Sequence, residues 1–153
     1  MTNAEARALN KKFVVDISRW VDAAKGKVDD VVRKVLYDVS NTIILRTPVD
    51  TGRLRGNWQF GEDAIPQGET GSAAAPNFVS QINKAKAGHI YYIANNLPYA
   101  AVVEYGQYPN PPKHPTGKTV GGYSSQAPAG MVRVTVLEYS SYLRDAVIKV
   151  RTQ

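Results

Sequence analysis

The sequence predicts a chain of the α+β class. Apolar residues recur at helical spacing near both ends of the 153 residues, whereas the middle carries short β-branched and aromatic runs between Gly, Pro and Asn. Hydrophobic residues make up 43% and charged residues 21%, which is the composition of a globular protein. A chain of this length has room for one hydrophobic core, so we expect a single domain over residues 1–153.

The composition excludes several functional classes. Cysteine is absent, which rules out disulfide frameworks, thiolate metal sites, iron–sulfur clusters and a cysteine nucleophile. No stretch approaches the roughly 18 consecutive apolar residues of a membrane span, so we expect no membrane partner and a chain retained in a cytoplasm. Lys and Arg number 19 against 13 Asp and Glu, and this formal net charge of +6 indicates either attraction to polyanions or simply a charged, soluble surface.

The first helix is predicted from Ala4 to Arg46. Asn3 is its expected cap, and Thr47-Pro48 ends it because the residue before proline avoids the α region. Gly26 predicts a bend that divides the helix into two pieces sharing one face. The helix exceeds the length of a small domain, so we expect its N-terminal third to pack on a neighbouring copy. Its apolar positions are Phe13, Ile17, Trp20, Val21, Ala24, Val28, Val31, Val32, Val35, Val39 and Ile43.

The C-terminal segment predicts a second amphipathic helix. Val132, Val136, Tyr139, Leu143, Val147 and Val150 follow one another at steps of three or four residues, and Pro128 is the expected entry to the helix. A strand is the alternative for the β-branched start at 132–136. Between the end helices we predict strands at 58–60 and 90–94, a short helix at 76–87 closed by Gly88, helical turns at 99–105 and a loop at 62–75.

The segment from Gly106 to Pro128 is a candidate binding loop. It holds five of the nine prolines and four of the twelve glycines, and it is longer than an ordinary connection. No acid occurs between Tyr105 and Leu137, and eight of the nine tyrosines lie between Tyr91 and Tyr142. Tyrosine is favoured at interfaces, so we predict a docking role for this loop. The residues proposed for docking are Tyr108, Pro111, Lys113, Lys118 and Tyr123.

The sequence offers few candidates for catalytic or metal-binding residues. Neither His89 nor His114 has a partner at metal-ligand spacing, and the Gly-bearing segments match no phosphate-binding motif. Glu104 is a lone acid, for which pairing with an arginine or capping a turn is expected rather than general base catalysis. We therefore predict no catalytic, cofactor-binding or metal-binding residue, and a protein that is not an enzyme.

A basic cluster surrounds the turn after the first helix. Arg46, Arg53 and Arg55 flank residues 48–52, which allows contact with a phosphate or an acidic partner. In the alternative interpretation, Asp50 and Thr51 form a side-chain-to-backbone turn, and the arginines lie in solvent or pair with Glu104. A basic nucleic-acid-binding module is accordingly the alternative function.

Three blocks of the sequence carry a resemblance to a known family. The segment TPVDTGRLR at 47–55 resembles a signature that follows the first helix in the tail-completion or neck proteins of long-tailed bacteriophages. The stretch 90–106 is similar to that family's Asn-x-x-Pro-Tyr-Ala and Glu-Tyr-Gly element, and 125–132 is similar to its Gln-Ala-Pro-x-Gly-Met-Val block. The blocks occur in the order that the family has.

The resemblance implies a structural virion protein, assembled in the bacterial host cytoplasm, that forms a hexameric ring at the head–tail interface and completes or terminates the tail. Its implied partners are further copies of itself, the tail tube protein, the head-side connector and DNA passing through the ring lumen. It also implies a long helix packed on a small, mostly antiparallel sheet with a final helix beside it. Glu104 would then hold Arg53 or Arg55. The structural motif or interface residues are Pro48, Asp50, Thr51, Gly52, Arg53, Arg55, Tyr99, Glu104 and Gly106.

Overall fold

The computed structural model describes residues 2–153, except for the side chains of residues 6, 9–18, 20 and 21. The α+β class is confirmed, with helices and small antiparallel sheets in one chain. In order, the elements are α1 (Asn3–Arg46), α2 (Arg53–Gly56), β1 (Trp58–Glu62), α3 (Val79–Ile82), β2 (Tyr91–Asn95), α4 (Ala100–Tyr105), β3 (Thr119–Val120), β4 (Tyr123–Ser124), α5 (Val132–Val136) and α6 (Tyr139–Arg151).

Helix α1 begins one residue earlier than the sequence predicts. Thr2 is the cap: its side chain accepts a hydrogen bond from the backbone of Glu5 at 3.2 Å, and the Glu5 carboxylate accepts from the Thr2 backbone at 2.6 Å. The expectation that Asn3 is the cap was wrong because only a residue three positions before Glu5 completes this reciprocal pair. The predicted stop is confirmed, since α1 ends at Arg46 and Thr47 is extended before Pro48.

The predicted division of α1 at Gly26 was also wrong. The helix is continuous from Asn3 to Arg46. Glycine inside a helix costs only about 1 kcal/mol relative to alanine, which the hydrogen bonds of a long helix tolerate. A Cβ placed on Gly26 would meet nothing within 4 Å, so no neighbouring element forces a bend there.

Strands β1 and β2 form an antiparallel pair in register from Trp58 opposite Asn95 to Glu62 opposite Tyr91. Trp58, Phe60 and Ile93 lie on the face that joins the core, because alternate residues of a strand share one side. Both strands begin or end within two residues of their predicted bounds, whereas the predicted middle helix shortens to the single turn α3. Pro76 and Asn77 precede this turn without joining it.

The predicted C-terminal helix is divided into α5 and α6. At the division, the Glu138 backbone bonds to the Thr135 carbonyl at 3.0 Å, a tighter turn than an α-helix makes, and α6 begins at Tyr139. The strand alternative for 132–136 was wrong because these residues are helical, and Met131, not Pro128, caps the entry.

The hydrophobic core lies between the C-terminal half of α1, the β1–β2 pair and the Met131 region. No helix among the described residues combines the length and the apolar character needed to cross a membrane. The buried core residues are Ile43, Ile44, Leu54, Trp58, Phe78, Ile82, Leu97, Val103, Ala127 and Met131.

Candidate interaction site

The turn that follows α1, residues 47–56, is fixed to the end of that helix. The Arg55 guanidinium donates to the carbonyl oxygens of Leu45 at 3.3 Å and Thr47 at 2.9 Å, which are among the last carbonyls of α1 and lack partners within the helix. The buried indole of Trp58 donates to the Thr47 hydroxyl at 2.7 Å. We call residues 47–56 the signature turn.

Glycine is required at position 52 of the signature turn. Gly52 has a φ of +86°, and a Cβ at this position would collide with the Ala73 carbonyl of the 62–75 loop. Thr51 accepts a hydrogen bond from the Arg53 backbone at 3.3 Å, so the predicted side-chain-to-backbone turn is confirmed for Thr51. Asp50 instead lies 3.7 Å from the Lys118 ammonium group.

Glu104 holds the start of α5. Its carboxylate accepts hydrogen bonds from the backbone N–H groups of Met131 at 2.7 Å, Val132 at 2.8 Å and Arg133 at 2.9 Å, and from the Arg133 side chain at 3.2 Å. The expected roles of capping a turn and pairing with an arginine are therefore both confirmed. The expected partner was wrong: Arg133 takes the place of Arg53 or Arg55, because the unpaired N–H groups at the start of α5 draw the carboxylate there.

The arginines of the signature turn have other partners. Arg53 forms an exposed ion pair with Glu69 at 2.8 Å, and Arg55 caps α1 as described above. Arg46, at the end of α1, pairs with Glu138 at 2.6 Å.

Burial and hydrogen bonding shift the pKa of Glu104 in opposite directions. Burial raises the pKa of this carboxyl, and the backbone hydrogen bonds from residues 131–133 together with the Arg133 side chain lower it by more. The net result is a pKa below the ordinary value of 4.5, so Glu104 is a carboxylate at neutral pH. A carboxylate occupied by four donors serves as an anchor rather than as a free base.

Close backbone packing holds the long loop at its base. A Cβ on Gly106 would collide with the Tyr123 ring, one on Gly122 with the Gly106 carbonyl, and one on Gly130 with the Glu104 backbone. The Arg133 guanidinium lies 4.8 Å above the Tyr105 ring and also donates to the Tyr123 hydroxyl at 3.2 Å. The segment 106–124 is therefore fastened to α4 and α5 at both of its ends.

A cleft of about 440 Å³ separates the signature turn from the long loop. The Gln126 side chain pairs with the Val49 backbone, accepting at 2.9 Å and donating at 3.0 Å, and so joins the two walls. Of the residues predicted for the site, the cleft brings together Pro48, Asp50, Thr51, Gly52, Arg53, Tyr99, Tyr108 and Lys118. Its lining does not include Arg55, Glu104, Gly106, Pro111, Lys113 or Tyr123, of which Pro111 and Lys113 lie exposed in the loop.

Comparison with known families gives the decisive observation. The model of the family described as "Bacteriophage HK97-gp10, putative tail-component" matches residues 6–106, more than half of the chain. The chain belongs to this HK97-gp10-like family of phage tail components. The resemblance found in the sequence is thus confirmed at the level of the family. No curated protein and no solved structure matches the chain.

The family match covers the first part of this HK97-gp10-like chain and stops where the long loop begins. It includes most of α1, the signature turn and the Glu104–Gly106 element. The block at 125–132 lies outside the match. The part of the chain that the family defines therefore builds the base of the cleft, and the loop that completes the cleft follows it.

Sequence reasoning missed three features of the site in this tail component. The long loop contains regular structure: β3 and β4 pair as a hairpin around Gly121 and Gly122, whose φ values are +60° and +87°. Two glycines between β-branched and aromatic residues are a recognised hairpin signal, which was available in the sequence. The roles of Gln126 and Arg133 depend on contacts with residues 77 and 29 positions away and have no such local signal.

His89 has the acidic partners that its sequence neighbourhood did not reveal. Its Nδ1 lies 2.7 Å from an Asp63 carboxylate oxygen and 3.4 Å from a Glu62 oxygen, although neither acid stands near it in the sequence. The β1–β2 register brings these residues together at one end of the sheet. The hydrogen bond with Asp63 raises the pKa of His89 and lowers that of Asp63. All three residues are exposed, and the contact, which becomes an ion pair when His89 is protonated, joins the strand ends.

Proposed function

We propose that the chain is a structural component of the phage neck, where copies of it form a six-fold ring that completes the tail and joins it to the head-side connector. Family membership supports the tail component, and the cleft at the signature turn supports the joining role. The partners of this proposal are further copies of the chain, the tail tube protein, the connector and DNA that passes through the ring.

The joining role is supported by one observation: the two ends of the long loop are fixed to the fold, whereas its middle is exposed to solvent. The ends are fixed by Glu104, Gly106 and Gly122, whereas residues 110–118 are exposed except for Pro112. The exposed part contains Lys113, His114 and Lys118 and no acid. A basic segment on a fixed base is suited to an acidic surface of a partner, since complementary charge speeds association and selects the partner.

The proposal is tested by reversing the charge of the loop. In a phage that carries Lys113→Glu and Lys118→Glu, we expect the number of joined, infectious particles to fall at least about tenfold, while free heads and free tails accumulate in electron micrographs. The double substitution Lys84→Glu and Lys86→Glu changes the charge equally at exposed positions outside the cleft and is the matched control. Normal joining by the loop variant would refute the docking role.

A further inference from the structure

Helix α1 is much longer than the helix that packs against it. The Tyr142 hydroxyl donates to the Thr42 hydroxyl at 3.2 Å, and Arg46 pairs with Glu138 at 2.6 Å. These two contacts show that α6 runs antiparallel to the C-terminal part of α1. At equal rise per residue, α6 ends at Arg151 beside roughly residue 33 of α1.

The segment around α3 reaches only slightly further along α1. Arg33 donates to the Ala85 carbonyl at 2.9 Å, and the Asp29 carboxylate accepts from the Ala87 backbone at 2.8 Å. Among the described side chains, Asp29 is the most N-terminal residue of α1 that hydrogen bonds to another element. Residues 3–28 therefore extend beyond these contacts by about 39 Å, at 1.5 Å per residue. We call them the N-terminal arm.

The sequence of the N-terminal arm carries an apolar stripe. Phe13, Ile17, Trp20, Ala24 and Val28 follow one another at steps of 4, 3, 4 and 4, which places them along one side of a continuous helix. Two aromatic and two large aliphatic residues bury roughly 450–750 Å² when a partner covers them completely. A stable interface buries about 800 Å² per partner, so the stripe supplies more than half of one side.

An uncharged groove lies on the body of the same chain. It has a volume of about 320 Å³ and is walled on one side by α1, through Tyr37, Ser40, Asn41 and Ile44, and on the other by the segment 75–82 with Asn77, Phe78 and Val79. Tyr37 and Val79 are 46% and 41% exposed, and none of the described residues that line the groove is charged. Uncharged walls beside a helix suit the apolar face of another helix.

The arm cannot enter the groove of its own chain. Because α1 is continuous through Gly26, the arm and the Tyr37 wall belong to one helix and cannot fold onto each other. We propose that the apolar stripe of the N-terminal arm packs into the α1–α3 groove of a second copy. The contact rests on the proposed ring: it joins two different surfaces, and contacts of that kind build closed rings by rotation.

Two adjacent alanines provide a matched test. Ala24 lies in the stripe, whereas Ala23 lies outside it and is exposed. In the full-length chain, Ala24→Glu places a charge in the proposed contact, and we expect the concentration for half-maximal assembly to rise at least about tenfold in sedimentation velocity runs. Ala23→Glu changes helix propensity and charge equally and is expected to assemble like the wild type. Equal assembly of the two variants, or a wild type that remains monomeric, would overturn the proposal.

Because the chain has no cysteine, engineered single cysteines can identify the surface that the N-terminal arm contacts. Single-cysteine variants Ala24→Cys and Val79→Cys are purified separately, mixed and treated with a short bismaleimide. We expect mainly the mixed 24–79 dimer, with Ser80→Cys, also exposed on α3, giving less of it. Predominant 24–24 products would instead show pairing between arms and overturn the groove as acceptor.

The results of these experiments distinguish a failure of the arm contact from a failure of the proposed neck function. Rings that survive Ala24→Glu on particles with joined tails would refute the arm contact and leave the neck role intact. Conversely, loss of assembly in Ala24→Glu together with normal joining by the loop variant would support the arm contact and refute the docking loop.

Discussion

At the scale of single residues, Glu104 is expected to contribute strongly to stability. It is 7% exposed and accepts three backbone hydrogen bonds and one from a guanidinium group. Hydrogen bonds to a buried charge contribute more than neutral ones, and losing them leaves buried donors unpaired. One side chain thus fixes the start of α5 against the end of α4.

Replacing Glu104 by Gln removes the charge at nearly constant shape. We expect the free energy of unfolding to fall by about 2–4 kcal/mol, measured by urea denaturation followed by tryptophan fluorescence. Glu69→Gln removes an exposed partner of Arg53 in the same way and should cost less than about 1 kcal/mol. Similar losses for the two variants would contradict the anchoring role of Glu104.

The pKa of Glu104 gives this prediction a pH dependence. Because hydrogen bonds from residues 131–133 hold the pKa in the folded chain below 4.5, the carboxylate contributes stability at all pH values above the unfolded pKa. That contribution is lost as the pH falls through the folded pKa. The difference in stability between the wild type and Glu104→Gln should therefore narrow in acid, in denaturation experiments repeated from pH 7 to pH 3.

His89 and Asp63 give a second prediction at the residue scale. Asp63→Asn removes the carboxylate that raises the pKa of His89, so an NMR titration should place the pKa of His89 lower, towards 6.5. Asparagine also tolerates the positive φ of +57° at this position. Asp145→Asn removes an exposed acid on α6 and should leave the His89 titration unchanged; a shift of equal size there would point to a general charge effect.

At the scale of the elements, the same substitution should have opposite effects in α1 and after α4. Gly26→Ala lies in a continuous exposed helix with open space around the new methyl group, so we expect a gain in helical circular dichroism and about 0.5–1 kcal/mol of stability. Gly106→Ala introduces a Cβ at a φ of +66° against the Tyr123 ring and should destabilise the fold. A loss of helicity in Gly26→Ala would indicate a break in α1 at that position.

Local sequence rules predict an element well where they do not compete with tertiary contacts. Thr47-Pro48 ends α1 as expected, and Gly106 ends α4 with a positive φ. The rules fail where a distant residue takes part. The Arg46–Glu138 pair accompanies the turn between α5 and α6, and no periodicity in residues 132–150 reveals it.

At the scale of the whole molecule, the basic residues around the cleft divide into two groups. Arg46, Arg53, Arg55 and Arg133 are engaged in ion pairs or carbonyl contacts that hold the fold together. Both lysines of the loop are exposed; Lys118 lines the cleft near Asp50, whereas Lys113 lies outside it. The charge of the loop is therefore exposed, whereas the charge of the signature turn is largely used within the fold.

By itself, the sequence determined the α+β class, the approximate positions of α1, β1, β2 and α4, and the phage tail family, because these depend on local spacing and on motifs of adjacent residues. Only the tertiary structure decided that Glu104 anchors α5, that Gln126 joins the loop to the signature turn and that His89 pairs with Asp63. Each of these contacts joins residues 26 or more positions apart. Their geometry follows from how the helices and strands pack, and no local pattern in the chain carries that information.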